Sequence, residues 1–434
     1  MPFQRWRQIA FVAAGFLGFL LLIFLVLRFS RTSDNKDLET SLTLTVDQPI
    51  EDFLKSYWQR PIPLQGAAPA SFTEKEASLK PEACGSCHQQ QYADWKESLH
   101  SRAMGPGPWG QILDLEKQSP DQAAPCQTCH TPLSEQMLHI ARTTDGTSKF
   151  ERNPHFDANL RLQGIACAGC HVRRHQRFGP PKAEGAATQY PVGTPNHGGV
   201  QRTPYLEKAE FCRDCHQFDP QNTALVNGKP MQDTYREWKS SIWGKGEAGC
   251  QECHMPNRRH LWRGIHDPAM VRNGVRVEAQ MKQAASSPGE TLELEVAVIN
   301  SAVGHKFPTY VTPKVFVRAE LLDRMGKTLP GSQQEKIIGW DVRFENSKWK
   351  EYFDTRIAPG ESSRHLFRWK LAPGATKARA WVEVHPDHFY HVHFYPAYLK
   401  EEKVSPEGRK LVEKALQDSG SSSYILFDKA IPLQ

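Results

Sequence analysis

Five times along this chain two cysteines stand three positions apart with a histidine directly after the second. The groups are Cys84, Cys87 and His88; Cys126, Cys129 and His130; Cys167, Cys170 and His171; Cys212, Cys215 and His216; and Cys250, Cys253 and His254, here motifs I to V. Together they use all ten cysteines. C-x-x-C-H is the spacing of covalent haem c attachment: two thiols add to vinyl groups and the next histidine binds the iron. Two intervening residues let one helical turn present both sulfurs to one porphyrin edge, with the imidazole beneath the metal. A zinc knuckle, a redox disulfide or buried thiols would explain one C-x-x-C. They do not explain a histidine after every pair and no cysteine left over. The sequence predicts five covalently bound haems c, with the motif histidines as iron ligands.

Of eighteen histidines, thirteen lie outside the motifs. If every iron takes two imidazoles, five of the thirteen are the second ligands. Local context selects His100, His197, His260, His266 and His305. His100 follows a short helical pattern, His197 sits in Pro-Asn-His-Gly-Gly, and His260 and His266 follow motif V closely. His305 lies in Val-Gly-His-Lys-Phe-Pro, where Gly304 frees the backbone and Pro308 stiffens the residues after the histidine. That loop is expected to dock a following domain onto the haems through one imidazole. His139, His155 and His175 lack such surroundings. Met104 or Met255 in place of an imidazole would raise that haem's potential. His385, His388, His391 and His393 form a separate cluster. His391 and His393 would share one face of a strand as a metal site, but the cluster reads better as a polar strand end near haem propionates.

The elements that must hold these residues differ along the chain of 434 residues. Ile9–Leu27 carries no charge and ends at Arg28 without a small-residue cleavage site. That length spans a bilayer core, so residues 1–30 are expected to form an uncleaved transmembrane helix. Haem c is attached outside the cytoplasmic membrane, which predicts a single-pass inner-membrane protein with everything after residue 30 in the periplasm. Residues 31–78, with four prolines, read as a linker. The haem region, 79–270, is expected to be mainly helix and loop. Motifs begin 42, 41, 45 and 38 residues apart, so each macrocycle has little protein around it and the haems form much of the core. Tyr92-Ala-Asp-Trp95-Lys-Glu-Ser98-Leu-His100 is repeated as Tyr235-Arg-Glu-Trp238-Lys-Ser-Ser241-Ile-Trp243. Both are helical patterns whose aromatics share one face; the tryptophans either stack on haems or simply pack. Residues 271–400 alternate apolar and polar, as in Thr291–Asn300, and predict an antiparallel, immunoglobulin-like β-sandwich. Residues 401–434 read as a tail with a helix over 407–417.

The formal charge of +6 is offset by the haems: propionates bring the molecule to about +1 oxidised and about −4 reduced. No basic-aromatic stretch accompanies the charge, so no nucleic-acid partner is expected.

Cys126-Gln-Thr-Cys-His-Thr-Pro-Leu-Ser-Glu-Gln136, Phe211-Cys-Arg-Asp-Cys-His-Gln-Phe218 and the segment Cys253–Asp267 resemble multihaem c cytochromes related to the tetrahaem cytochrome of ammonia oxidisers, a c-552/c-554-like domain. Hydroxylamine oxidoreductase and pentahaem nitrite reductase are more distant members. The resemblance covers about 79–400. It implies haems stacked in parallel and perpendicular pairs and periplasmic electron transfer. The nitrite reductase's catalytic haem uses C-x-x-C-K, whereas all five motifs here end in histidine, so no residue is assigned a catalytic role. The expected function is an electron relay through bis-histidine haems, with a quinol oxidoreductase, the quinone pool or periplasmic redox proteins as partners. The alternatives are a reductase of a nitrogen or sulfur compound at one five-coordinate haem, and a module whose β-domain docks a partner.

Overall fold

The computed structural model describes residues 48–433 except 145–146, 183–195, 222, 224, 247 and 347. All eighteen histidines and ten cysteines lie among the described residues.

The first helix, α1 (Ile50–Tyr57), carries Ile50, Phe53, Leu54 and Tyr57 at the spacing of one helical face. Phe53, Leu54 and Tyr57 are buried. The Tyr57 hydroxyl donates to the Cys170 carbonyl at 2.7 Å. Arg173 donates to the Tyr57 carbonyl and lies 3.8 Å over the Tyr57 ring. Residues from 48 onward, read as linker, therefore brace motif III as part of the haem region.

The motifs sit on or at the ends of short helices: α2 (Pro81–Gly85) leads into motif I, α3 (Gln89–Glu97) comes after it, and α4 (Pro106–Gln118) precedes motif II. Helices α5 (Pro120–His130), α6 (Cys167–His171), α7 (Ala209–His216) and α9 (Cys250–His254) each end on a motif histidine, with α8 (Thr234–Ser240) between the last two. Hairpin β1 (His139–Thr144) and β2 (Thr147–Arg152) comes after motif II. A buried pair braces this end: Arg161 meets Glu116 at 2.8 Å, and Glu116 accepts from Gln127 inside motif II.

The repeated aromatics have equivalent jobs. Trp95 on α3 donates to the Ile165 carbonyl at 2.8 Å, and Trp238 on α8 donates to the Ala248 carbonyl at 2.9 Å. Each acceptor lies two residues before the first cysteine of a motif, III and V respectively. Each tryptophan thus fixes the chain where it enters a motif.

A short helix, α10 (Pro268–Gly274), leads into eight antiparallel strands. One sheet has the order β8 (Ser362–Lys370), β4 (Thr291–Asn300), β3 (Val275–Gln283). The other runs β7 (Lys348–Asp354), β6 (Gln334–Glu345), β5 (Lys314–Leu322), β9 (Lys377–His385), β10 (Tyr424–Pro432). Alternate residues of facing strands meet between the sheets: Leu292, Leu294, Val296 and Val298 against Val315, Val317, Val382 and Val384. Strand β10 comes from residues read as tail, and α11 (Pro406–Gly420) before it packs on α4, where a side chain at Gly110 would collide with Val412.

Arg356 locks the sandwich to the haem region, pairing with Glu237 of α8 at 3.0 Å and with Asp354 at 2.8 Å. Lys229 reaches Asp354 at 2.7 Å.

One expectation is corrected. Among the described residues no helix is long and apolar enough to cross a membrane. The longest, α11, has 15 residues, several of them charged, where a span needs about 20 apolar ones. Ile9–Leu27 lies outside the described residues. A fold with a transmembrane helix, and the inner-membrane location built on it, are set aside.

Candidate functional site

Two imidazoles bound to opposite sides of one metal by bonds of about 2 Å have ring centroids about 6.3 Å apart. Among the described residues five histidine pairs have that spacing; four join a motif histidine to a distant one, and the fifth, His385–His388 at 6.2 Å, lies within the separate cluster and includes no motif histidine. His88 faces His197 at 6.5 Å, His216 faces His100 at 6.2 Å, His171 faces His260 at 6.1 Å, and His254 faces His305 at 6.4 Å. The last pair is nearly parallel, at 11°.

Hydrogen bonds set the tautomers. A backbone carbonyl only accepts, so a ring nitrogen bonded to one must carry its hydrogen, leaving the other nitrogen's lone pair for a metal. Nδ1 donates to a carbonyl in His130 (Ala103, 2.6 Å), His171 (Phe178, 2.8 Å) and His254 (Arg263, 2.5 Å). It does so as well in His197 (Gly199, 3.1 Å), His260 (Arg258, 3.1 Å) and His305 (Lys306, 2.9 Å). In each case Nε2 is left for iron. Burial lowers the affinity of these rings for a second proton. His100 falls to about 3 and His171, His216 and His305 to about 4. His88, His254 and His260 shift in the same direction for the same reason.

Three carboxylates hold the loops that bring the distant imidazoles. Glu76 accepts the His197 backbone N–H at 2.8 Å. Its carboxyl pKa drops to about 2 because it accepts from His197 and from Thr73, whose N-cap it completes. Asp94 accepts the His260 N–H at 3.0 Å and is held low by Arg259, bound at 2.6 Å. Glu237 accepts the N–H of Lys306, next to His305, at 3.2 Å. Sequence reasoning missed all three, although Thr73-x-x-Glu76 is a legible capping box. Gly304 has its role in close approach: a side chain there would lie 3.2 Å from the Trp238 ring. Trp243, which stands where the first repeat has His100, packs on the same glycine.

Motif II differs. Among the described residues no imidazole ring pairs with His130. Cys126, Cys129 and His130 line a cavity of about 2340 Å³ that reaches Met137, Tyr310, Tyr390, Phe394 and the sandwich edge. His266 lines it too, but its Nε2 lies 3.0 Å from the Asp387 carboxylate. A carboxylate accepts, so this Nε2 carries the hydrogen, and its lone pair is not offered to a metal. His266 is the one expected second ligand that the structure does not bring opposite a motif histidine.

The remaining candidates are engaged elsewhere. His175 Nε2 donates to the Gly66 carbonyl at 3.0 Å. His139 lies on β1 and His155 in the turn after β2. Met104 is buried with Ile112 and Ala123. Met255 follows motif V at the end of α9, with no imidazole role to replace there since His305 faces His254. His391 and His393 fall on a π-helix, Phe389–Phe394, not a strand, and His391 turns to the Leu416 carbonyl. Among the described residues no group of three His, Cys, Asp or Glu could hold a metal ion.

All ten cysteines are free of disulfides. Cysteines of different motifs are nonetheless close enough to shift each other's thiols: Cys84 and Cys167, Cys129 and Cys215, and Cys212 and Cys250. Motif I is thus against III, II against IV, and IV against V, while Cys170 of III is within electrostatic range of both Cys212 and Cys215. The paired imidazoles, their tautomers and the helical motifs fit a haem c at each attachment point.

Comparison with known proteins agrees. The family model for cytochrome c552 matches residues 67–267. Cytochrome c-552 of Aliarcobacter butzleri (strain RM4018) is 24% identical over 193 residues, which are 42% of this chain and 36% of that relative's own length. A crystal structure of a penta-haem cytochrome c552 from Thermochromatium tepidum superposes with a TM-score of 0.54 at 16% identity. That likeness, over 82% of this chain and 98% of the other, is one of fold. With its five C-x-x-C-H motifs and the geometry around them, the chain is similar to multihaem c-type cytochromes of the cytochrome c552 kind over residues 67–267.

Proposed function

We propose that this protein is an electron-transfer cytochrome carrying five haems c, four of them held between two imidazoles. The observation that carries the reading is the set of four histidine pairs at 6.1–6.5 Å. Bound haem c supplies an iron centre that gains and loses one electron at a time. The chain's part is to keep that centre unchanged in both states. Two imidazoles per iron leave no coordination position for water or substrate. Carbonyls on Nδ1 fix five of the eight paired rings, those of His171, His197, His254, His260 and His305, and the Glu76, Asp94 and Glu237 carboxylates fix the loops. Neighbouring attachment points (I with III, IV with V, II with IV, and III within electrostatic range of IV) place the five sites in one connected group. Donors and acceptors are then other redox proteins that meet the ends of this series. A pyridine haemochrome assay should return five haems per chain, and electron paramagnetic resonance of the oxidised protein should count four low-spin irons. A haem ratio of two or three, or a majority of high-spin irons, would refute the proposal.

A second reading is favoured by motif II alone. His130 offers Nε2 to an iron and, among the described residues, faces no second imidazole. On this reading His130 would hold an iron for which the chain provides no second ligand, and the haem there, receiving electrons from the other four, would supply the reduction of a small nitrogen or sulfur compound. One high-spin iron in five supports it; five low-spin irons remove it.

A further inference from the structure

Away from the motif II cavity, three side chains from distant parts of the chain are anchored on residues 63–66. Gln65 donates from Nε2 to the Pro63 carbonyl at 3.1 Å. Glu135, in the short turn Ser134–Gln136 after motif II, accepts the Gln65 backbone N–H on Oε1 at 2.6 Å. His175 donates from Nε2 to the Gly66 carbonyl at 3.0 Å. Each anchor uses one polar atom and fixes the character of the other: Gln65 Oε1, Glu135 Oε2 and His175 Nδ1 are all left as acceptors. All three atoms are buried and have no hydrogen-bond partner among the described residues. Gln65 is 4% exposed and His175 6%.

The turn that delivers His175 is strained. Val172–Arg173 and Gln176–Gly179 form a hairpin after motif III, and its two connecting residues, Arg174 and His175, hold φ at +49° and +60°. Hairpins ordinarily fill such a turn with Asn-Gly. Larger residues persist there where the surroundings enforce it, and such strain gathers at ligand sites.

We propose that Gln65 Oε1, Glu135 Oε2 and His175 Nδ1 hold a divalent transition-metal ion of the zinc kind, which clasps residues 63–66 to the segments leaving motifs II and III.

Three buried acceptors with no donor are costly unless something outside the chain matches them. One water brings two hydrogens for three acceptors; a cation satisfies all three. The donor set then chooses among cations. An imidazole nitrogen with two oxygens suits zinc and its neighbours in the first transition row, whereas calcium and magnesium take oxygen. Burial pushes the Glu135 carboxyl pKa up, and a cation beside it supplies the counter-charge its ionised form needs. Arg177 of the same hairpin does not supply it, being engaged by the His175 and Glu76 carbonyls at 2.7 and 2.6 Å.

The test uses the full haem-loaded protein, freed of loose metal with EDTA and dialysed against zinc chloride, with zinc counted per chain by plasma mass spectrometry. One zinc should bind saturably, and excess calcium should leave it in place. X-ray absorption at the zinc edge should read one imidazole with oxygen neighbours and no sulfur. Glu135→Gln keeps an oxygen for the Gln65 N–H and loses the charge; His175→Ala loses the imidazole. Each should weaken zinc by more than the ~10–100-fold that follows loss of an outer-shell partner. His365→Ala is the control: it removes a sandwich imidazole, bonded to Ser363 Oγ at 3.0 Å, on which zinc could settle, and binding should not change. If His175→Ala fails to fold, Glu135→Gln and the absorption spectrum of the unmodified protein decide the matter. The site is overturned if no zinc binds, if calcium displaces it, if the spectrum reads sulfur or several imidazoles, or if Glu135→Gln binds zinc as the unmodified protein does. Loss of zinc in His365→Ala means an adventitious ion only and overturns it equally.

Discussion

Replacing His305 by alanine removes the imidazole opposite His254 while leaving the surrounding contacts in place. The hydrogen bond lost with the ring runs from Nδ1 to the Lys306 carbonyl and is worth about 1 kcal/mol. The loop keeps Gly304 against Trp238, the Lys306 N–H on Glu237 and the Arg356–Glu237 pair at 3.0 Å. The fold should survive. On the proposal of four bis-imidazole irons, the variant should lower the low-spin count from four to three and raise the high-spin signal by one iron in five. Millimolar imidazole should restore the lost low-spin iron by filling the vacated position. Arg356→Met is the companion variant: it should lower stability and leave the spin count alone. An unchanged low-spin count in His305→Ala refutes the assignment. A rise in high-spin signal that imidazole does not reverse would point to displacement of the sandwich, not loss of one ligand.

Three further outcomes are expected. Arg161→Met strands Glu116 in a buried site beside motif II and should cost about 3–5 kcal/mol in chemical denaturation. Trp238→Phe removes the donor from the Ala248 carbonyl ahead of motif V and should cost about 1–3 kcal/mol, with a visible fraction of chains lacking one haem by mass spectrometry; Trp95→Phe should do the same at motif III. The Asp94 carboxyl is held below its unfolded value, so its contribution is present above about pH 3.9 and is lost as pH falls through the folded value. The advantage of the unmodified protein over Asp94→Asn should therefore be level from pH 7 to 5 and shrink below pH 4 in urea titrations.

The motifs were legible in the sequence because their chemistry is local: five residues define each attachment point. The sandwich strands were legible for a similar reason, since alternation such as Leu292, Leu294, Val296 and Val298 is a local pattern. What escaped was set by partners far along the chain. Helix α1 shows its apolar face at Ile50, Phe53, Leu54 and Tyr57, yet Pro49, Pro61, Pro63 and Pro69 made the stretch read as linker; what makes it a wall of the haem region is Arg173, 116 residues from Tyr57. Strand β10 came after a Ser-Gly-rich break and so looked like tail. Its place depends on β9, whose free edge no local pattern reveals.

His266 shows most clearly why some second ligands can be read from sequence and others cannot. It has the same local credentials as His260, six residues earlier: a position just after motif V, a neighbouring glycine at 264 and a rigid proline at 268. Only the hydrogen-bond partner separates them. His260 donates from Nδ1 to a carbonyl two residues away, a contact its own turn supplies, and its Nε2 is left for iron. His266 donates from Nε2 to Asp387, 121 residues on. Carbonyl contacts within one or two residues also set His197 and His305, which is why loop context found them. A histidine whose tautomer is fixed by a distant carboxylate gives no such sign. Asp387→Ala is the corresponding test: freed from its acceptor, His266 can present Nε2 to the cavity it already lines. If it reaches the motif II iron, the high-spin signal should fall in that variant; if the signal is unchanged, distance as well as the proton keeps His266 off the metal.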